Sequence, residues 1–309
     1  TRVALPEMKK HGYSERLATG VIAAGGTLGV LIPPSIALAV YGLLTQQSVG
    51  LLFMAGVVPG IIAIAMYMLV VKVWLAVRPQ DAPVGQQAAM RERLSSLTRL
   101  GPIMLLILFV IGGIYGGLFT PTEAGAVGAA GAIAIVALGK RLSWKTLFSS
   151  LAESVRMGAA ILLIMAGAVL FGYFLAVTET PQKAAQLLID ADLGRYGTLL
   201  VIIGIMLVLG CLIDALAVVI LIVPLVYPIV MQLGFDPIWF GVIVTMCVEL
   251  GLITPPFGLN VFVIKGLSKR TDIWTIYKGV TPFIIVDLVR IGLLIAFPSL
   301  VLFLPDMAR

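Results

Sequence analysis

Two stretches of this chain put freed backbone oxygens and side-chain oxygens where a cation could be held. Thr27-Leu-Gly-Val-Leu-Ile-Pro-Pro-Ser35 and Glu249-Leu-Gly-Leu-Ile-Thr-Pro-Pro-Phe257 lie 222 residues apart and share Leu, Gly, Pro and Pro at matching places. Each sits inside a long apolar segment. Proline has no N–H and its ring clashes with the preceding turn, so each one removes a helical hydrogen bond. Counting back four residues, the carbonyls of Gly29, Val30, Gly251 and Leu252 are expected to lose their partners. Lipid cannot replace those partners, so such a break survives only where it is buried in protein or lines a cavity. With the side-chain oxygens of Thr27, Ser35, Thr254 and Asn260, the freed carbonyls form a donor set suited to a hard cation such as Na⁺. The plain alternative is a pair of proline kinks, common in membrane helices. Broken helices at corresponding places in two repeats point instead to a transporter's binding site.

The acidic residues need the same weighing. Asp214 ends Gly210-Cys-Leu-Ile-Asp214, an interruption in an otherwise apolar run. A carboxylate at membrane depth is costly and marks an ion or proton path by default. Asp is also a good N-cap for the helical run 215–223, and the two roles are compatible. Glu249 stands one turn before the second Pro-Pro pair, and either belongs to the site or pairs with a basic residue across the bundle. Glu123 is explained by the capping box Thr120-Pro-Thr-Glu123, with Pro in the first helical position. Arg156, near a span end, is placed to snorkel. Asp287 and Arg290 are spaced to pair with each other, and no functional role is assigned to them.

His11 is the single histidine, which excludes a His-based triad or zinc site, and neither a P-loop nor a nucleophile elbow occurs. An intramembrane enzyme using Asp214 and Glu249 as acid and base is therefore a weaker reading. A channel is a third, but occluding hairpins suit alternating access better.

The elements that must position these residues are membrane spans. The 309 residues are 60% hydrophobic and only 12% charged, with a mean hydropathy of +1.11; a soluble domain carries about 25% charged residues. An all-α polytopic membrane protein follows. The net charge of +6 fits basic cytoplasmic loops, and no basic run is dense or aromatic enough for nucleic acid. Cys211 and Cys247 lie in apolar segments and imply no disulfide framework.

Apolar segments are expected at about 13–44, 51–77, 102–118 and 157–177, with interfacial helices at about 86–100 and up to 156. Gly125, Gly128 and Gly131 mark a small-residue helix suited to close packing. The run 196–234 is interrupted at Asp214. Its arms, taken as about 15 residues or roughly 22 Å each, fall short of a ~30 Å hydrocarbon core and suggest a re-entrant hairpin. One long tilted helix with a buried Asp is the alternative. The second broken span covers about 238–266 and a last span about 280–304.

Lys and Arg concentrate at 9–16, 78–99, 140–145 and 265–278, and alternate correctly with the spans if the hairpin makes no net crossing. The two Pro-Pro helices then run in opposite directions, as inverted repeats. The resulting division is 1–47 (the end of a first hairpin and the first broken helix), 48–156 (scaffold and arm helices), 157–266 (span, hairpin at about 197–232, second broken helix) and 267–309 (the last span). The chain opens at Thr1 without an initiator Met. By the repeat interval, the tip of a first hairpin would fall about ten residues upstream, so a fragment of a longer protein is expected.

Four motifs carry a family resemblance. Pro6-Glu-Met-Lys-Lys-His-Gly-Tyr13, Gly26-Thr-Leu-Gly-Val-Leu-Ile-Pro-Pro-Ser35, Pro121-Thr-Glu-Ala-Gly125 and Gly251-Leu-Ile-Thr-Pro-Pro-Phe-Gly-Leu-Asn260 together resemble the large membrane subunit of tripartite ATP-independent periplasmic (TRAP) transporters, over nearly the whole chain. The resemblance implies an elevator-type secondary transporter in the bacterial inner membrane, driven by a Na⁺ gradient. It also implies an organic-acid substrate such as a C4-dicarboxylate or sialic acid, a periplasmic substrate-binding protein that delivers it, and a small four-helix membrane subunit. Carried over by motif, one sodium site falls on Gly26, Thr27, Gly29 and Pro33. The other falls on the tip from Gly210 to Asp214 with Gly251, Thr254 and Pro255. Ser35, Asn260 and Glu249 are candidates for the substrate side. The Ser-Gly-Ser-like first tip and the upstream scaffold of that family are not in residues 1–309, so the resemblance implies no transport by this chain alone.

Overall fold

The computed structural model describes residues 4–83, 90–140, 142–180, 183, 186, 193–268 and 271–308, and the side chains of 90–100, 168 and 176 are left aside. Among the described residues the regular structure is helical, and seven segments are long and apolar enough to cross a membrane. The chain divides into two compact units, residues 1–83 with 168–309 and residues 84–167. The candidate site lies wholly in the first.

In chain order the first unit opens with α1 (Ala4–Lys10), α2 (Glu15–Leu31) and α3 (Ile36–Thr45), followed by α4 (Val49–Val77). Ser14, Ser35 and Ser48 cap α2, α3 and α4 by accepting the N–H of the residue three positions on. The first Pro-Pro pair separates α2 from α3. Later come α8 (Gly194–Leu212), α9 (Ala215–Gln232), α10 (Pro237–Gly251) and α11 (Leu259–Leu267), with the second pair between α10 and α11. Two further helices, α12 (Ile273–Ala296) and α13 (Ser299–Ala308), complete the unit.

The second unit holds α5 (Met90–Tyr115) and α6 (Pro121–Leu138), which pack on each other, and the start of α7 (Trp144–Val177). Thr120 and Glu123 form the capping box expected from sequence, with the Thr120 N–H donating to Glu123 Oε2 at 2.8 Å.

The Asp214 interruption is a hairpin and not one long helix. Ile213 and Asp214 are extended, and the far ends of the arms lie side by side. Arg195 Nη2 donates to the Gly234 carbonyl at 2.9 Å, and the Arg195 guanidinium sits 4.1 Å from the centre of the Phe235 ring. The arms are longer than the sequence suggested, however. They have 19 and 18 residues, about 27–29 Å at 1.5 Å per residue, because the first starts at Gly194, before the apolar run, and the second stays helical to Gln232. Gly194, the first residue of α8, and Gly234, two residues beyond α9, take positive φ of 66° and 74°. Shortness is therefore no argument for re-entrance here.

Three other expectations are corrected. Residues 90–100 are not a separate interfacial helix but run unbroken into the span as α5; residues 86–89 lie outside the described residues. The stretch before Arg156 likewise continues into α7, which is 34 residues long, since no proline or positive-φ glycine intervenes. The last span is α12, seven residues earlier than expected at its start, and Pro298 separates it from α13.

Core packing in the first unit rests on close backbone approach. α12 lies along α2 with Gly20 against Gly279, and a Cβ at either position would collide with a main-chain carbonyl of the other helix. Arg16 Nη2 donates to the Lys278 carbonyl at 3.1 Å beside this crossing. Backbone cannot rotate away as a side chain can, so Gly279→Ala is expected to lose on the order of 1–3 kcal/mol. A thermal-unfolding midpoint in detergent equal to the wild type would contradict this crossing.

Candidate functional site

The C-terminal ends of α2 and α10 meet. Thr27, a turn before the first break, stands with its hydroxyl 3.1 Å from Glu249 Oε1, a turn before the second. These two residues occupy the same place in the repeat. Asn260 adds a second link by donating from Nδ2 to the Ala23 carbonyl of α2 at 3.2 Å. Both breaks have a cis peptide between their prolines.

Most of the carbonyls expected to be free are engaged. Ser35 Oγ donates to the Val30 carbonyl while capping α3. Leu252 accepts the Asn260 N–H at 3.0 Å, and Gly251 accepts the Thr254 N–H at 3.4 Å. Thr254 Oγ1 donates to the Leu250 carbonyl at 2.6 Å, and Tyr277 binds the carbonyls of Pro256 and Phe257 at 2.7 and 2.9 Å. The expectation of four orphaned oxygens overlooked these local and tertiary donors; Gly29 alone of the four has no partner among the described residues. A carbonyl has two lone pairs, so an accepted hydrogen bond leaves one free for an ion.

The second break and the hairpin tip press together at two glycines. A Cβ on Gly251 would lie 2.5 Å from the Gly210 carbonyl group, so only Gly permits this approach. Here α8 and α10 both end, and each brings last-turn carbonyls without intrahelical partners and the negative end of its dipole. Asp214 is exposed at the tip and caps α9, accepting the Leu216 N–H at 2.9 Å. Beside it lies a pocket of about 280 Å³ lined by Gly210, Asp214, Leu252, Phe257 and Phe262 among others. The N-terminus of α11, at Gly258 with φ 55° and no side-chain cap, lies at the same place. Oxygen donors, a carboxylate and two helix C-termini suit a hard cation, and the uncapped helix start suits an anion.

Around the first break, Gly26 and Gly29 are exposed, and a Cβ on Gly29 would meet nothing within 4 Å. α4 covers the other side through Gly56 and Gly60, where a Cβ would come within 2.9 Å of the Leu31 carbonyl and the Ile32 side chain respectively. Pro33 lies against Gly56.

Sequence reading missed what surrounds Glu249. It is fully buried and pairs with Arg290 Nη2 at 2.7 Å, so the alternative of a basic partner across the bundle holds. Asp287 and Arg290 do pair, at 2.9 Å, and Tyr67 of α4 donates to Asp287 Oδ2 at 2.6 Å. Ser35, proposed for the substrate, is buried and occupied with its cap. The i, i+3 spacing of Asp287 and Arg290 was visible; that they face Glu249 was not.

Comparison with known proteins decides the family. The profile described as "Tripartite ATP-independent periplasmic transporter, DctM component" matches residues 1–300. The chain belongs to this family. A C4-dicarboxylate TRAP transporter large permease protein of Pseudomonas aeruginosa is 34% identical over 98% of this chain and 71% of its own length. An ectoine/5-hydroxyectoine TRAP transporter large permease of Ruegeria pomeroyi is 33% identical over 98% of this chain and 70% of its own. The sialic acid TRAP transporter permease of Haemophilus influenzae is 33% identical over 99% of this chain and 49% of its own. TRAP large permeases are multi-pass membrane proteins of bacterial transport systems, and the chain's helices fit that description.

The contrast between the two repeat-equivalent glycines is testable. Gly251→Ala is expected to lower the unfolding midpoint of this TRAP permease, because it must push the hairpin off the break. Gly29→Ala should leave the midpoint unchanged or slightly raised, since Ala is the better helix former by about 1 kcal/mol. Equal effects at the two positions would mean that the Gly210–Gly251 contact is not tight.

Proposed function

We propose that this TRAP permease is the ion-coupled large subunit of an importer of organic acids, with Na⁺ as the coupling ion. The observation that carries the reading is the meeting of two helix C-termini at Gly210 and Gly251 beside Asp214, which brings backbone and carboxylate oxygens together between apolar helices. In this reading Gly210, Asp214, Gly251, Thr254 and Pro255 serve one ion through backbone and side-chain oxygens. Gly26, Thr27, Gly29 and Pro33 serve a second. Substrate carboxylate lies in the tip pocket near the α11 N-terminus, with Asn260 between the two breaks, and ion binding draws the hairpin onto the break. Asp214, as the cap of α9, carries the ion's charge into the helix that must move, in an elevator-type exchange between the two faces of the inner membrane.

The relatives are named for C4-dicarboxylates, sialic acid and ectoines. A compact organic acid delivered by a periplasmic binding protein, with a small four-helix membrane subunit alongside, is the substrate and partner set we adopt. Another ion-coupled anion carrier of the same superfamily is the second reading, favoured by the same carbonyl-lined breaks.

The deciding experiment is uptake into proteoliposomes holding the full-length complex and its binding protein, with and without an inward Na⁺ gradient. Gradient-dependent uptake of one acid from a panel is expected. Asp214→Ala should abolish it and also cost about 1 kcal/mol of stability through the lost cap. Asp214→Asn keeps a good cap while removing the charge, so it should restore stability but not uptake. Uptake at wild-type rates by Asp214→Asn would remove Asp214 from the ion site.

A further inference from the structure

Five side chains from four helices close a ring in the interior of the first unit. Thr27 Oγ1 of α2 meets Glu249 Oε1 of α10 at 3.1 Å, and Glu249 Oε2 accepts from Arg290 Nη2 of α12 at 2.7 Å. The same Nη2 stands 2.9 Å from Asp287 Oδ1. Asp287 Oδ2 accepts from Tyr67 of α4 at 2.6 Å, and the Tyr67 hydroxyl lies 3.5 Å from Thr27 Oγ1, whose one proton is shared between Glu249 and the Ala24 carbonyl at 2.8 Å. Thr27, Glu249 and Arg290 are 0% exposed, Asp287 1% and Tyr67 6%. None of this is needed to cap a helix or repair a proline.

Two features set the ring apart from an ordinary buried ion pair. Its link between α2 and α10 joins Thr27 to Glu249, which are the same position of the two repeats, each one turn ahead of its Pro-Pro break. Whatever moves one break therefore pulls directly on the other. The ring is also under-bonded. Arg290 holds both carboxylates through a single nitrogen, while its Nε and Nη1, and Asp287 Oδ1, have no hydrogen-bond partner. The Arg290–Asp287 contact is short but lacks hydrogen-bond geometry.

We infer that Arg290 is a positioning residue that couples the two breaks, holding Glu249, and through it Thr27, so that an ion bound at one break changes the affinity of the other. Arg290 touches neither ion. It acts by fixing where the last turns of α2 and α10 stand. Arginine keeps its charge when buried and holds its nitrogens in a rigid plane, whereas the ammonium of lysine is a freely rotating point charge that loses its proton more readily on burial. Coupling of this kind is reciprocal: each ion must favour the other by the same factor, typically 5- to 150-fold.

This inference rests on the reading that cations bind at the breaks, and the test separates the two. Thermal stabilisation of the purified full-length transporter is followed as NaCl replaces choline chloride at constant ionic strength, for wild type, Arg290→Lys, Glu249→Gln and Tyr67→Phe. The wild type is expected to be stabilised along a sigmoidal curve with a Hill coefficient near 2. Arg290→Lys and Glu249→Gln should still respond to Na⁺, with a coefficient near 1 and a midpoint raised about tenfold. Tyr67→Phe, which leaves the Arg290–Glu249–Thr27 bonds in place, should keep the wild-type shape.

No Na⁺ response in the wild type would overturn the ion reading itself. A wild-type coefficient of 1, or unchanged curves in both Arg290→Lys and Glu249→Gln, would leave ion binding standing and overturn the coupling. Failure of both those variants to assemble, while Tyr67→Phe assembles, would assign the ring to folding alone and also overturn it.

Discussion

A backbone carbonyl or N–H exposed to hydrocarbon has nothing to bond with, and two Pro-Pro pairs inside apolar segments free several such groups at once. The interior of the first unit is arranged around satisfying them. Ser35 returns to Val30, Asn260 to Leu252, Thr254 to Leu250, and Tyr277 reaches across from α12 to Pro256 and Phe257. The breaks are thus supported from several directions by local hydroxyls and by a neighbouring helix. What remains available for an ion is second lone pairs, helix C-termini and the Gly29 carbonyl, a smaller but better-held set than a bare count of prolines implies.

Support from neighbours requires that the neighbours come close, and glycine provides that closeness. Gly251 meets Gly210 where the hairpin tip meets the second break, Gly20 meets Gly279 where α2 crosses α12, and Gly56 lets α4 approach Leu31 and Pro33. In a membrane, helices gain little from burying apolar surface against each other instead of against lipid, so close packing of small residues carries the association.

The Thr27–Glu249–Arg290–Asp287–Tyr67 ring adds the polar counterpart. Its charges are fully removed from water, where a lost partner would leave an uncompensated ion, typically at a cost of 3–5 kcal/mol. That cost keeps α2, α4, α10 and α12 in register at the level of the breaks.

Much of this was legible in the chain before any folding was considered. Apolar period and length gave the spans, Pro-Pro pairs gave the two breaks, the capping box at Thr120 gave the start of α6, and the motifs gave the family. Each of these is a local property, carried by neighbours in the chain. The hairpin at Asp214 was also visible, although its arms were drawn too short because helices do not stop where apolar residues stop. Three things emerged only from the packed helices: which freed carbonyls find partners, that Glu249 faces Arg290, and that Asp287, Arg290 and Tyr67 belong beside the breaks. Apart from the Asp287–Arg290 pair, the ring contacts join residues 40 to 222 positions apart. No local spacing encodes them, since they depend on which faces of four helices turn inward together.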